Sequence, residues 1–182
     1  MRNSSGMVHS MFKKLATNTH FDFEVQDQRI EFWLDAEGRR IQYFNVVSEY
    51  IDAFIARFGA HSQHFHTSFV HVETAVPPHT DIVDRVSFNF YIETNGYQTR
   101  FYRGDDHITG QTYADHGDGH VYNLDELEEL DSFVAMPGDV YLLDGKCIHA
   151  VTGTDHRPRK FIQVSSTDLD YEQVLGMLDN LC

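Results

Sequence analysis

Between Val86 and Ile92 the chain alternates without a break. Val86, Phe88, Phe90 and Ile92 fall on one parity, and Ser87, Asn89 and Tyr91 on the other. A period of two is the mark of a strand, whose successive side chains leave on opposite faces. Asn95-Gly96 follows, then a second extended run, Tyr97–Tyr102. An Asn-Gly between two such runs predicts a hairpin, because both residues tolerate the positive φ of the tight turn. Shorter runs of the same kind recur: Phe65–Glu73, with Pro77-Pro78 breaking the chain after it, Ser132–Met136, the Pro137-Gly138 turn, Asp139–Leu143, a stretch around His149, and Lys160–Ser165. About eight short strands with regular turn signals predict a mainly β protein, an antiparallel sandwich or barrel of the jelly-roll kind.

The flanks differ. Val46, Val47, Tyr50, Ile51, Phe54, Ile55 and Phe58 recur at steps of three and four, with Gly59 behind them. This predicts a helix over residues 45–58. Residues 169–181 fit a second, terminal helix. The first ~40 residues read as one or two short strands along a core edge. Residues 104–123, rich in Gly, Asp and His, read as a long loop, and Leu124–Leu130 as a short acidic helical turn whose face, Asp125–Asp131, is solvated. No repeat or low-complexity linker divides the 182 residues, so one domain is expected, with its jelly-roll core over about 63–166.

Charge narrows the function. Lys and Arg number 14 against 28 Asp and Glu, a formal net charge of −14. A chain this acidic lacks the basic footprint that tracks nucleic-acid phosphates, and it is repelled by anionic membrane surfaces. Neither partner is expected. Two cysteines, Cys147 and Cys182, are too few for a disulfide framework or a thiolate zinc site. With no apolar signal segment in view, a cytoplasmic protein with reduced thiols is expected.

The 12 histidines carry the chemical information. His-x-Asp/Glu occurs at His20/Asp22, His71/Glu73, His79/Asp81 and His116/Asp118. His79-Thr80-Asp81 stands apart, because it follows the Pro-Pro break and opens a strand, which points both side chains to one face. His149, after the turn–strand–turn of Pro137–Asp144, is the candidate third ligand. Two His and one carboxylate with open positions form the facial arrangement of non-haem Fe(II) oxygenases. About ten residues on lies a basic cluster, Arg157-Pro158-Arg159-Lys160, where a fixed cation would hold the distal carboxylate of a chelating co-substrate. If no bulge intervenes, Arg85, Ser87, Asn89 and Tyr91 share the face of His79 and Asp81, and Ser87, Asn89 and Tyr91 become candidates for hydrogen bonds to that co-substrate. His64 and His66 read as surface-strand residues. His107, His116 and His120 read as loop residues, with a substrate lid as the functional alternative. Cys147 shares the parity of His149.

His-Thr-Asp at 79–81, Pro-Gly-Asp at 137–139 and His-Ala-Val at 149–151, followed by Arg-Pro-Arg-Lys at 157–160, resemble the 2-oxoglutarate/Fe(II)-dependent oxygenase superfamily. The likeness is to its small bacterial and phage members, including relatives of the aspartyl/asparaginyl β-hydroxylases. It implies a double-stranded β-helix (jelly roll, cupin-like), with Fe(II) on His79, Asp81 and His149. It implies a basic residue pairing with the far carboxylate of 2-oxoglutarate. Arg159 is the first choice, with Arg157, Lys160 and Arg85 as competitors. Phe161 stands where many members carry a small hydroxyl residue. The resemblance implies hydroxylation of a small-molecule, amino-acid or protein side-chain substrate, using O2 and releasing succinate and CO2. The alternatives are a jelly-roll metalloenzyme that uses no 2-oxo acid and a non-catalytic jelly-roll binding module.

Overall fold

A computed structural model describes residues 10–33, 40–81, 83–104, 111–112, 119–153 and 157–180. In chain order the elements are β1 (Phe12–Ala16), β2 (Glu24–Trp33), β3 (Arg40–Val47), α1 (Glu49–Ala56), β4 (Phe65–Val72), β5 (Val76–Asp81), β6 (Val86–Glu93), β7 (Gln98–Gly104), β8 (Gln111–Thr112), β9 (Gly119–Val121), β10 (Leu127–Val134), β11 (Val140–Asp144), β12 (Ile148–Thr152), β13 (Arg159–Ser166) and α2 (Tyr171–Asp179). One sheet runs β1-β11-β6-β13-β4-β3-β2, the other β10-β7-β12-β5-β9-β8. All neighbours are antiparallel.

Without the flanking strands, the centre is β11-β6-β13-β4 facing β10-β7-β12-β5. That order is a double-stranded β-helix, the jelly roll expected from the turn spacing. It explains why β6 is buried on both faces. Tyr91 packs in the core between the sheets with Val70, Val72, Phe101, Phe133 and Phe161. Val86, Phe88 and Phe90 face the other way, under α1 and α2, with Ile51, Phe58 and Val174. Among the described residues, no helix is long and apolar enough to cross a membrane.

Five local expectations are corrected. Asn95 and Gly96 do form the turn, with φ of 50° and 74° and Tyr97 N–H donating to Thr94 O at 3.1 Å. Yet β6 and β7 do not pair. Both edges of β6 are taken, by β11 and β13, so the turn hands the chain to the other sheet. The helix expected over 45–58 covers Glu49–Ala56. Val46 and Val47 instead pair with Val25 and Glu24 in β3, where β-branched side chains fit better. The helix expected over 169–181 starts at Tyr171, because Asp170 and Gln173 form a capping box with both bonds at 2.9 Å. The acidic run 124–130 is helical only over Leu124–Glu126. It then becomes β10, where Glu129 meets Arg100 at 2.6 Å and Glu128 meets Arg103. Cross-strand ion pairs, rather than a solvated helical face, account for its charge.

Pro77-Pro78 does not break a strand either. Both prolines lie inside β5. The β5–β12 ladder is bridged at Val76 and His79 with an irregularity between, so neither proline is called on for an N–H it lacks. Pro78 O accepts from Tyr122 N–H at 2.9 Å. His79-Thr80-Asp81 therefore closes β5 rather than opening a strand.

Candidate metal centre and its cavity

His79 and His149 are directly opposed across the β5–β12 ladder. Their rings lie 4.2 Å apart, centroid to centroid. Asp81, two residues along β5 on the same face, brings Oδ1 to 3.6 Å from His79 Nε2. One ligand atom from each of the three lies within 4.8 Å of the others. The backbone sets the tautomers. His79 Nδ1 donates to Pro77 O at 2.8 Å and His149 Nδ1 donates to Cys147 O at 2.9 Å. A carbonyl can only accept, so each ring carries its proton on Nδ1 and offers the Nε2 lone pair.

The electrostatics agree with that assignment. Burial pushes the His79 imidazole down to about 4, and His149 nearby adds to the effect. Burial lowers His149 as well. Both rings are thus neutral at physiological pH, as ligands must be. A pH prediction follows for the metal-free protein. The folded pKa of His79 lies below its unfolded value near 6.5, so the unfolded chain binds the proton first. The associated stability is complete above pH 6.5 and is lost as pH falls toward 4. The loss is on the order of 3 kcal/mol for this one group. Urea unfolding followed by circular dichroism at pH 7 and pH 4.5 checks it, with the lower midpoint expected at pH 4.5.

Gly145 and Lys146 hold the backbone of Asp81. Asp81 N–H donates to Gly145 O at 2.9 Å, and Lys146 Nζ donates to Asp81 O at 3.0 Å. A Cβ at Gly145 would sit 2.4 Å from Asp84 O and 2.9 Å from Asp81 Oδ2. The first of these is backbone and cannot swing aside. Gly145→Ala is therefore expected to displace Asp81 and to weaken divalent-metal binding by roughly tenfold or more, measured by Mn(II) titration.

The centre opens on a cavity between the sheets. Ser87, Asn89 and Tyr91 line it, together with Arg159, Phe161 and Gln163 of β13 and Thr99 of β7. Arg159 is 6% exposed. Its Nη1 donates to Thr99 Oγ1 at 3.4 Å, and its guanidinium stands 5.0 Å from the Phe161 ring centre and 5.8 Å from that of Tyr91. Among the described residues no carboxylate pairs with it. Its Nε, Tyr91 Oη and Asn89 Oδ1 are all buried without a hydrogen-bond partner. Three orphaned polar atoms on the walls of one cavity fit a polar ligand. Two neutral imidazoles and a carboxylate fit a divalent first-row metal.

The other candidates lie elsewhere. Arg85 is exposed and does not line the cavity. The face it was expected to share ends at Asp81, because the chain changes sheets between β5 and β6; its N–H and C=O instead close that crossover, on Ser166 O and Gly145 N. Arg157 is exposed. Lys160 pairs with Glu93 at 2.9 Å. Cys147 Sγ turns to Asp144 at 3.4 Å, and burial with that carboxylate pushes the thiol up to about 12, so it is an inert partner of the core. His64 meets Asp168 at 2.8 Å. His107 and His116 lie outside the described residues. Thr99 and Gln163 were not singled out from sequence. Gln163 shares the parity of Arg159 and Phe161 along β13 and was findable on that ground; Thr99 carries no sequence signal.

No protein-family model matches the sequence, and no curated protein matches it significantly. Among solved structures, a hydroquinone 1,2-dioxygenase (PnpCD, complexed with Cd2+ and 4-hydroxybenzonitrile) aligns with a TM-score of 0.39 at 12% identity, over 57% of this chain and 58% of that one. Bacillus subtilis oxalate decarboxylase aligns with a TM-score of 0.38 at 16% identity, over 79% of this chain and 31% of that one. The chain thus spans less than two thirds of either neighbour. Likeness at this level says nothing about activity, which has to be argued from the site.

Proposed function

We propose that this protein is an Fe(II)- and 2-oxoglutarate-dependent dioxygenase that hydroxylates a small-molecule or amino-acid side chain. The observation that carries this reading is Arg159. A buried guanidinium without a carboxylate partner is costly unless a ligand supplies one. Here it shares a cavity with two His and one Asp. A co-substrate that chelates a metal at one end and carries a second carboxylate at the other meets both requirements at once.

Each residue then has a task. His79 and His149, oriented through Pro77 O and Cys147 O, present neutral Nε2 atoms, and Asp81 adds one negative charge. Fe(II) held there would supply activation of dioxygen, coupled to decarboxylation of 2-oxoglutarate to succinate and CO2 and to hydroxylation of the substrate. Arg159 pairs with the far carboxylate and thereby orients the 2-oxo end. Asn89 Oδ1 and Tyr91 Oη line the walls within the same cavity. Phe161, Val70, Val72 and Leu143 give the cavity apolar walls, and low polarity there would strengthen an ion pair made by Arg159.

Anaerobic titration of the full chain with Fe(II) and then 2-oxoglutarate tests the reading. A saturable visible charge-transfer band is expected. Metal binding without the band would favour a jelly-roll metalloenzyme that takes no 2-oxo acid. Absence of both would leave a binding module.

A further inference from the structure

A second pocket, open to solvent at Arg29, Ile30 and Val83, adjoins the first. The two share Tyr43, Asp81 and Gln163 as walls. Its remaining polar lining comes from β2 (Arg29), β4 (His66, Ser68) and the β5–β6 crossover (Asp84). Nothing in the preceding reading uses these groups.

Arg29 and Asp84 put opposite charges on its walls. Arg29 Nη1 donates to Ser68 Oγ at 3.3 Å. Among the described residues no carboxylate pairs with Arg29, which is exposed at the rim of the pocket, where its N–H donors can exchange water for a ligand carboxylate. Asp84 Oδ1 is buried without a hydrogen-bond partner. His66 Nε2 lies 3.1 Å from it and 2.7 Å from Ser165 Oγ. A carboxylate oxygen whose contact is an ion pair without hydrogen-bond geometry has room for an N–H from a ligand. Ile30, Tyr43 and Val83 supply apolar wall between the polar groups.

We infer that this cavity is the primary-substrate site, and that it takes a small free amino acid, with the carboxylate on Arg29 and the ammonium on Asp84. The inference rests on the reading above, in which Asp81 holds the metal. A cation and an acid on the walls of one cavity match a zwitterion. A dicarboxylate would face both Asp84 and Asp81. A diamine would leave Arg29 without a partner. The shared wall at Asp81 brings the amino acid's side chain beside the metal ligands.

Saturation-transfer NMR tests this on the full chain loaded with Zn(II), a redox-inert stand-in, and 2-oxoglutarate, with the twenty protein amino acids as probes. One or a few are expected to give signal, and their N-acetyl and carboxamide forms are expected not to compete. Arg29→Gln and Asp84→Asn are each expected to weaken binding roughly tenfold or more, with circular dichroism unchanged. If one variant fails to fold, the other carries the test. Absence of signal from all twenty, or signal retained in both variants, overturns the inference. The methylene resonances of 2-oxoglutarate, read in the same spectra, separate the two proposals. 2-Oxoglutarate bound without any amino acid leaves the dioxygenase reading standing and removes this one. An amino acid bound without 2-oxoglutarate does the reverse.

Discussion

Asp81→Ala is expected to abolish 2-oxoglutarate-dependent succinate formation and to weaken divalent-metal binding by roughly a hundredfold or more, beyond the usual loss for an outer-sphere partner. Two neutral imidazoles would remain, without the charge that offsets the cation. The fold is expected to survive. The backbone of Asp81 is held by Gly145 O and Lys146 Nζ, and alanine keeps both bonds. Succinate production measured with wild-type and variant protein, beside Mn(II) titration and circular dichroism, separates loss of the site from loss of the structure. Full turnover in the variant would remove Asp81 from the centre.

Arg159→Met is expected to act in opposite directions on ligand and fold. Removing one partner of a buried charge pair costs 2-oxoglutarate binding roughly a factor of 10² to 10³. The metal-free, ligand-free protein, by contrast, should gain stability. Its guanidinium is buried with one long hydrogen bond to Thr99 and an orphaned Nε, and an apolar side chain of similar length removes that desolvation cost. The charge-transfer titration and the Tm of the same samples report the two effects. A structural arginine would give the reverse pattern: Tm falling sharply and 2-oxoglutarate binding unchanged. That outcome would count against Arg159 as the anchor.

Much of this was legible along the chain. The alternation of Val86–Ile92 foretold a strand with one face for Ser87, Asn89 and Tyr91 and another for Phe88 and Phe90, because period two is a property of the backbone itself. Turn residues such as Asn95-Gly96 marked where strands end. They did not mark where the next strand goes, since a turn sets local φ and ψ while pairing depends on which sheet edges remain free. Val46-Val47 shows the same limit. Their spacing suits a helix and their β-branching a strand, and only the presence of β2 alongside decided between them.

Strand parities, turn positions, the acidic composition and the His79-x-Asp81 pair on one face could all be read along the chain, because each follows from chemistry within a few residues. Tertiary structure alone decided that His149 lies opposite His79, some seventy residues away along the chain. It alone decided that Arg159, rather than Arg157 or Arg85, is buried in the cavity. It also set Arg29 and Asp84 into one cavity beside Asp81. The physical reason is common to all three. Cross-strand neighbours and burial are set by long-range pairing of sheet edges, which local sequence biases but does not encode.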